Sequence, residues 1–208
     1  VVGIDGDVHL VNRQDSGLSY TKINGTTGVV LVNNLRIAPP PVLGSNLSIA
    51  SDMYGHLHVA WQSNIDGNDE IYYTKLNNVG GTLIDDLRLT TNNADSLAPF
   101  IVADESGNAH VVWVDTRDEN YEIYYEKING SSGTFLIHNL RLTFNSSDSF
   151  NPKIDLRRPG FPNVVWNDNR DGNFEIYFKG TFFNTQPVLS SVGNQQTNEN
   201  QALAIQLN

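Results

Sequence analysis

Apolar residues in this chain fall in short blocks of three to six, separated by polar stretches rich in Asn, Asp, Gly, Ser and Thr. No ten-residue stretch carries apolar positions at helical spacing, so the pattern predicts β-structure throughout. Residues 110–127, HVVWVDTRDENYEIYYEK, give the pattern in its fullest form. Both arms are β-branched or aromatic, and the Asx-rich centre supplies turn chemistry, so the segment predicts a β-hairpin. It recurs as HVAWQSNIDGNDEIYYTK at 58–75 and NVVWNDNRDGNFEIYFK at 163–179, and in shortened form as HLVNRQDSGLSYTK at 9–22.

The recurrence has a fixed period. Trp61, Trp113 and Trp166 are spaced by 52 and 53 residues, and Tyr20, Tyr73, Tyr125 and Phe178 by 53, 52 and 53. Leu35-Arg36, Leu87-Arg88 and Leu140-Arg141 keep the same step. Each repeat also predicts an opening strand (1–5, 47–52, 100–104, 153–156) and a closing one (35–37, 87–90, 140–143) around the hairpin. Four antiparallel strands per repeat of about fifty residues predict an all-β, four-bladed β-propeller. Its blades fall at about 1–46, 47–98, 99–151 and 152–192, within a propeller domain of 1–186 and a tail of 187–208. The hairpin arms are apolar on successive positions, as expected when both faces of a sheet are covered. The Arg of the closing strand (Arg36, Arg88, Arg141) reads as a guard on an outer edge.

Composition narrows the function. Net charge is −10, which excludes the clustered basic surface that nucleic acid or an anionic membrane requires. No apolar run is long enough to span a bilayer as a helix, and the absence of Cys excludes thiol chemistry. The chain opens at Val1 without a signal peptide, which reads as a mature form or a fragment. Acceptor sequons at Asn24, Asn46, Asn129 and Asn145, in a chain rich in Asn, Ser and Thr, predict an extracellular or cell-surface glycoprotein.

The turns that follow the hairpins, such as Asn24-Gly-Thr-Thr-Gly and Asn129-Gly-Ser-Ser-Gly-Thr, resemble degenerate Asp-box turns of sialidase-like propellers. The repeat as a whole, with W-x-D-x-R-D-G-N-x-E-I-Y-Y and L-R-L-T, resembles propeller repeats of large bacterial and archaeal surface proteins over residues 1–180. PVLSSVGNQQTNENQALAIQLN at 187–208 resembles the opening of a cadherin-like or immunoglobulin-like module. These resemblances imply a non-catalytic surface module, structural or adhesive, with protein partners, copies of itself or cell-surface glycans. The alternative from another class is a carbohydrate-binding or sialidase-like, glycan-acting propeller.

Candidate chemistry is sparse. Asn167, Asn169 and Asp171, followed by Gly172, place oxygen ligands at alternate positions and could hold calcium; otherwise no cofactor is expected. His9, His58 and His110 are equivalent by repeat, which favours a shared packing role over a metal ring. A sialidase-like site needs three converging Arg, a Tyr–Glu pair and an acid Asp. The Arg left outside the repeat (Arg13, Arg157, Arg158) make no such triad, so no enzyme is expected. In the tail, Ala202, Ala204, Ile205 and Leu207 can form a strand. Three readings stay open for it: the start of a further module, a strand donated to a neighbouring copy in a filament, or a folded-back end.

Overall fold

The computed structural model describes residues 1–15, 17–39, 46–157, 160–180 and 190–191. The described residues contain no helix, and hence none long and apolar enough to cross a membrane. Their strands form four antiparallel sheets in chain order. Sheet 1 holds β1 (Val8–Gln14), β2 (Gly17–Ile23) and β3 (Val30–Ala38). Sheet 2 holds β4 (Leu47–Ser51), β5 (Leu57–Ser63), β6 (Glu70–Leu76) and β7 (Thr82–Arg88). Sheet 3 holds β8 (Ser96–Ala103), β9 (Ala109–Asp115), β10 (Glu122–Ile128) and β11 (Phe135–Arg141). Sheet 4 holds β12 (Ser149–Arg157), β13 (Phe161–Asp168), β14 (Glu175–Gly180) and β15 (Ser190–Ser191).

Every sheet is a simple meander, with strands paired in sequence order. The predicted hairpins are β5–β6, β9–β10, β13–β14 and, in short form, β1–β2; Trp61 pairs with Tyr72, Trp113 with Tyr124 and Trp166 with Tyr177. The predicted opening strand at 1–5 is not a strand: Gly3 and Gly6 fold it into a turn, and Val2 makes only an isolated bridge to Val8. Ser190 and Ser191 pair with Phe178 and Tyr177 in the outer position of sheet 4.

Three apolar clusters hold consecutive sheets together. Leu18, Tyr20 and Ile37 of sheet 1 meet Val59, Trp61 and Tyr72 of sheet 2. Ala60, Ile71 and Tyr73 on the opposite face of sheet 2 meet Val111, Trp113 and Tyr124 of sheet 3. Val112, Ile123 and Tyr125 then meet Val164, Trp166 and Tyr177 of sheet 4. Each junction therefore sets the Trp–Tyr face of one sheet on the Ile–Tyr face, or in sheet 1 the Leu18–Tyr20 face, of the sheet before it. The three Trp are at most 2% exposed, and each lies 5.8–6.1 Å from its cross-strand Tyr at 24–25° between rings. This face-to-face stacking of consecutive meanders is propeller architecture. No apolar cluster joins sheet 1 to sheet 4 among the described residues.

Candidate functional site

Two polar networks recur at opposite ends of the sheets. At the hairpin end, Glu70 and Glu122 are fully buried where a carboxylate needs partners. Arg88 bridges Glu70 at 2.8 Å and Asp66 at 2.9 Å, and Arg141 bridges Glu122 at 2.8 Å and Asp118 at 2.9 Å. Thr143 donates its hydroxyl to Glu122 and accepts the Ile123 amide at 2.9 Å. The repeated L-R-L-T thus ties the closing strand to the hairpin, which corrects the expectation of an outer-edge guard for Arg88 and Arg141. Tyr72, Tyr124 and Tyr177 donate their hydroxyls to Asp66, Asp118 and Asp171 of the hairpin loops. Asn68 and Asn120 donate to carbonyls of the following loop, of Asn92 and Ala94 and of Asn145 and Ser147, and pin each loop to the next.

At the other end, Asp52 and Asp104 sit in tight turns, each accepting two backbone amides on Oδ1. Their Oδ2 atoms meet His58 and His110 at 3.2 Å and Lys75 and Lys127 at 3.3 and 2.9 Å. The Nδ1 atoms of His9, His58 and His110 lie 2.8 Å from the hydroxyls of Tyr20, Tyr73 and Tyr125. Burial lowers both His58 and His110, the latter to about 4, against the pull of the adjacent carboxylate. Burial also works to raise Asp52 and Asp104, but hydrogen bonds (from His58 first for Asp52, from Asn108 and Lys127 for Asp104) hold both well below the usual carboxylate range. A neutral imidazole that donates from Nε2 to Asp and accepts the Tyr hydroxyl at Nδ1 satisfies all three groups. His58 and His110 are structural hydrogen-bonding groups, whereas His9 keeps the Tyr contact but has a buried Nε2 without a hydrogen-bond partner. Lys75 also donates to the carbonyls of Gly107 and Gly130, which clamps sheet 2 to sheet 3.

Against this regularity one place differs. In sheet 3 the Arg117 guanidinium lies 4.3 Å over the Tyr124 ring and bonds Asp115 at 2.5 Å and Asn139 at 3.3 Å. In sheet 4 Arg170 lies 4.1 Å over Tyr177 and pairs with Asp168. Burial acts to raise Asp115 and Asp168, and the two Arg overcome it, holding Asp168 at about 2. In sheet 2 the counterparts of Asp115 and Arg117 are Ser63 and Ile65. Among the described residues no guanidinium lies over the Tyr72 ring there, and a cavity of about 140 Å³ opens, lined by Pro39, Trp61, Ser63, Ile65, Tyr72 and Asp86. Asp86, the counterpart of Asn139, is pushed above the usual carboxylate range by burial and by the charge of Asp85; Thr74 and Arg36 of β3 act against this to a lesser degree. A second cavity of about 210 Å³ lies between sheets 3 and 4, lined by Val102, Ala103, Asp104, Glu105, Asp155, Leu156 and Gly160. Its deepest acid, Asp104, is committed to the network just described.

The sequence-derived sites are scattered. Asp171 accepts the Tyr177 hydroxyl, Asn169 keeps a buried Oδ1 without a hydrogen-bond partner, and Asn167 pairs with Phe150 and Ile176 in β13. No group of three or more His, Cys, Asp or Glu poised for a metal occurs among the described residues. Asn24 and Asn129 accept backbone amides of their own turns, and Asn46 donates to Gln62 at 3.1 Å. Asn145 donates its Nδ2 to buried Asp168 at 3.2 Å. Ala202, Ala204, Ile205 and Leu207 lie outside the described residues. The exchange of Asp-x-Arg for Ser-x-Ile in sheet 2 is readable by aligning the repeats. The Arg-over-Tyr contact that gives it meaning is a three-dimensional fact.

No protein-family model matches the chain, and no curated protein matches its sequence. Solved structures do match its architecture. An ulvan lyase, described as a polysaccharide lyase bound to a glucuronic acid–sulfated rhamnose unit, superposes with a TM-score of 0.58 over 86% of this chain and 50% of its own, at 10% identity. An endo-arabinase from Bacteroides thetaiotaomicron gives 0.48 over 85% and 70% at 18% identity. A family 117 glycoside hydrolase of the marine bacterium Zobellia galactanivorans gives 0.45 over 84% and 55% at 10% identity. The chain spans half the length of the ulvan lyase. The ulvan lyase match corrects the expectation of a non-catalytic, structural or adhesive module and of a chain that is no enzyme. The ulvan lyase fold is that of a protein described as a polysaccharide lyase. At these identities the likeness establishes architecture: the chain is an all-β protein of β-propeller type.

Proposed function

We propose that the chain is a carbohydrate-binding unit, four sheets of a propeller, in an extracellular glycan-acting protein. The observation that carries this reading is the cavity on sheet 2, which is lined by the buried Trp61–Tyr72 pair together with Ser63 and Asp86. Sugar rings offer apolar C–H faces and a hydroxyl rim, and bind best where aromatic walls meet a few fixed acceptors. Trp61, Tyr72 and Pro39 supply the walls, and Ser63 and Asp86 the polar groups. The fold shared with ulvan lyase supports the reading, and the chain's richness in Asn, Ser and Thr with acceptor sequons supports an extracellular setting. A glycan array probed with the intact chain tests it. The expected result is retention on a defined group of glycans, lost in the Ile65→Arg variant that fills the cavity; no retention on any glycan overturns the reading.

A further inference from the structure

The repeats themselves show what kind of group belongs over the second-sheet tyrosine. In sheets 3 and 4 the space above the Tyr ring holds a cation, Arg117 or Arg170, at 4.3 and 4.1 Å from the ring centroid. Each cation is neutralised by an Asp of the same hairpin, Asp115 or Asp168. Sheet 2 lacks both members of that pair, having Ser63 and Ile65 in their places. Yet it keeps the ring: Tyr72 is stacked on Trp61 at 5.8 Å, with its hydroxyl committed to Asp66 as Tyr124's is to Asp118. Arg88 does not substitute for the missing cation. It is the counterpart of Arg141, bridging Asp66 and Glu70, and sheet 3 contains Arg141 and Arg117 together.

The anionic side of the site has moved rather than vanished. Where sheet 3 offers Arg117 the neutral amide of Asn139, sheet 2 lines the cavity with the carboxylate of Asp86. Of the charges that act on it, Asp85 opposes its ionisation and Arg36 favours it to a smaller degree. The cavity thus retains the π face and gains a carboxylate, while losing the side chain that fills it elsewhere. An aromatic face and a half-buried carboxylate together favour an organic cation over a neutral group. The chain's net charge of −10 favours the same sign of ligand at long range.

We propose that this cavity is the subsite for the protonated amine of an amino sugar, seated over Tyr72 and paired with Asp86. The proposal rests on the glycan reading of the site and names its ligand class. An ammonium on a sugar ring suits both halves of the lining, with the charge toward Tyr72 and Asp86 and the ring against Trp61, Ile65 and Pro39. A volume of about 140 Å³ admits one such group rather than a whole oligosaccharide, so the remaining sugars would lie along the surface.

Calorimetric titration of the intact chain with a glucosamine trisaccharide, its fully N-acetylated form and a neutral glucose trisaccharide tests the proposal. The expected result is binding of the free-amine sugar at least about tenfold tighter than either other sugar. Asp86→Asn should remove that preference, and the Ser63→Asp/Ile65→Arg double variant, which rebuilds the sheet 3 arrangement, should abolish binding; unchanged melting temperatures show that both remain folded. Equal affinity for the three sugars, with no effect of Asp86→Asn, overturns the amine subsite and leaves the glycan reading standing. Binding of an arginine tripeptide with none of any sugar overturns both.

Discussion

Glu126 shows how a single departure from the repeat changes the chemistry of a strand. Its counterparts are Thr21 and Thr74, whose hydroxyls accept the amides of Asn34 and Asp86, bulge residues of the outer strand with positive φ. Glu126 performs the same service with a carboxylate, accepting the Asn139 amide at 3.3 Å and meeting His138 Nδ1 at 3.0 Å. Its second oxygen is buried without a partner, and burial pushes the group up to about 8, against the weaker pull of Asn139 and Arg117. An acid whose folded pKa is raised is protonated in the folded chain and ionised in the unfolded one between about pH 4.5 and 8. Stability from this group is therefore full below that window and falls by about 1.4 kcal/mol per pH unit as pH rises through it. Denaturant titrations from pH 5 to 9 should show this decline in the native chain and a flatter profile in Glu126→Gln; parallel profiles would contradict the assignment. The sequence could not reveal this, because the partner amide is set by a register shift between β10 and β11. Asn145 is a second case. Its sequon is plain in the sequence, but its Nδ2 is bound to Asp168, so glycosylation there would strip a partner from a buried carboxylate. Mass spectrometry of material from a glycosylating host should find Asn145 bare even where Asn24 or Asn129 is occupied.

At the scale of elements, the hairpins were legible because β-branched and aromatic arms flanking Asx-rich loops are the strongest local signal for paired strands. The outer strands were read too short: β7 and β11 begin at Thr82 and Phe135, well before the predicted 87 and 140. No residue of either strand is buried, so burial imposes little apolar pattern on them. Equivalent strands also differ in what covers them. Ile123 is fully buried between sheets 3 and 4, whereas its repeat counterpart Ile176 is 50% exposed on the free face of sheet 4, beside Val165. Ile123→Ala should cost about 2–5 kcal/mol and Ile176→Ala well under 1. Equal costs in chemical denaturation would mean that the free face is covered in solution. Trp113→Ala, which removes the ring stacked on Tyr124, should cost about 3–5 kcal/mol.

For the whole molecule, the fifty-residue period dictates the order in which sheets stack, since each repeat carries one Trp–Tyr face and one Ile–Tyr face for its neighbours. Sheet 1 breaks the scheme on its outer side, where Asn12 and Ser19 replace the Trp–Tyr pair and bond each other at 2.9 Å. That substitution was visible in the sequence, and the shortened hairpin that accompanies it was noted. The site was less legible: Ser63 and Ile65 look like ordinary loop residues until the Arg-over-Tyr contact of the other sheets shows what they omit. The central claim, that the opening left on sheet 2 receives a ligand, can be read from the chain's three Trp. Trp113 and Trp166 donate their indole N–H to Asp115 and Asp168, whereas the counterpart of those acids beside Trp61 is Ser63. The three indole N–H resonances of the labelled chain, followed during titration with a glycan retained on the array, give the most direct test. The Trp61 resonance is expected to shift in proportion to occupancy while those of Trp113 and Trp166 stay in place. A saturating titration that leaves Trp61 unmoved, or moves all three alike, would contradict it.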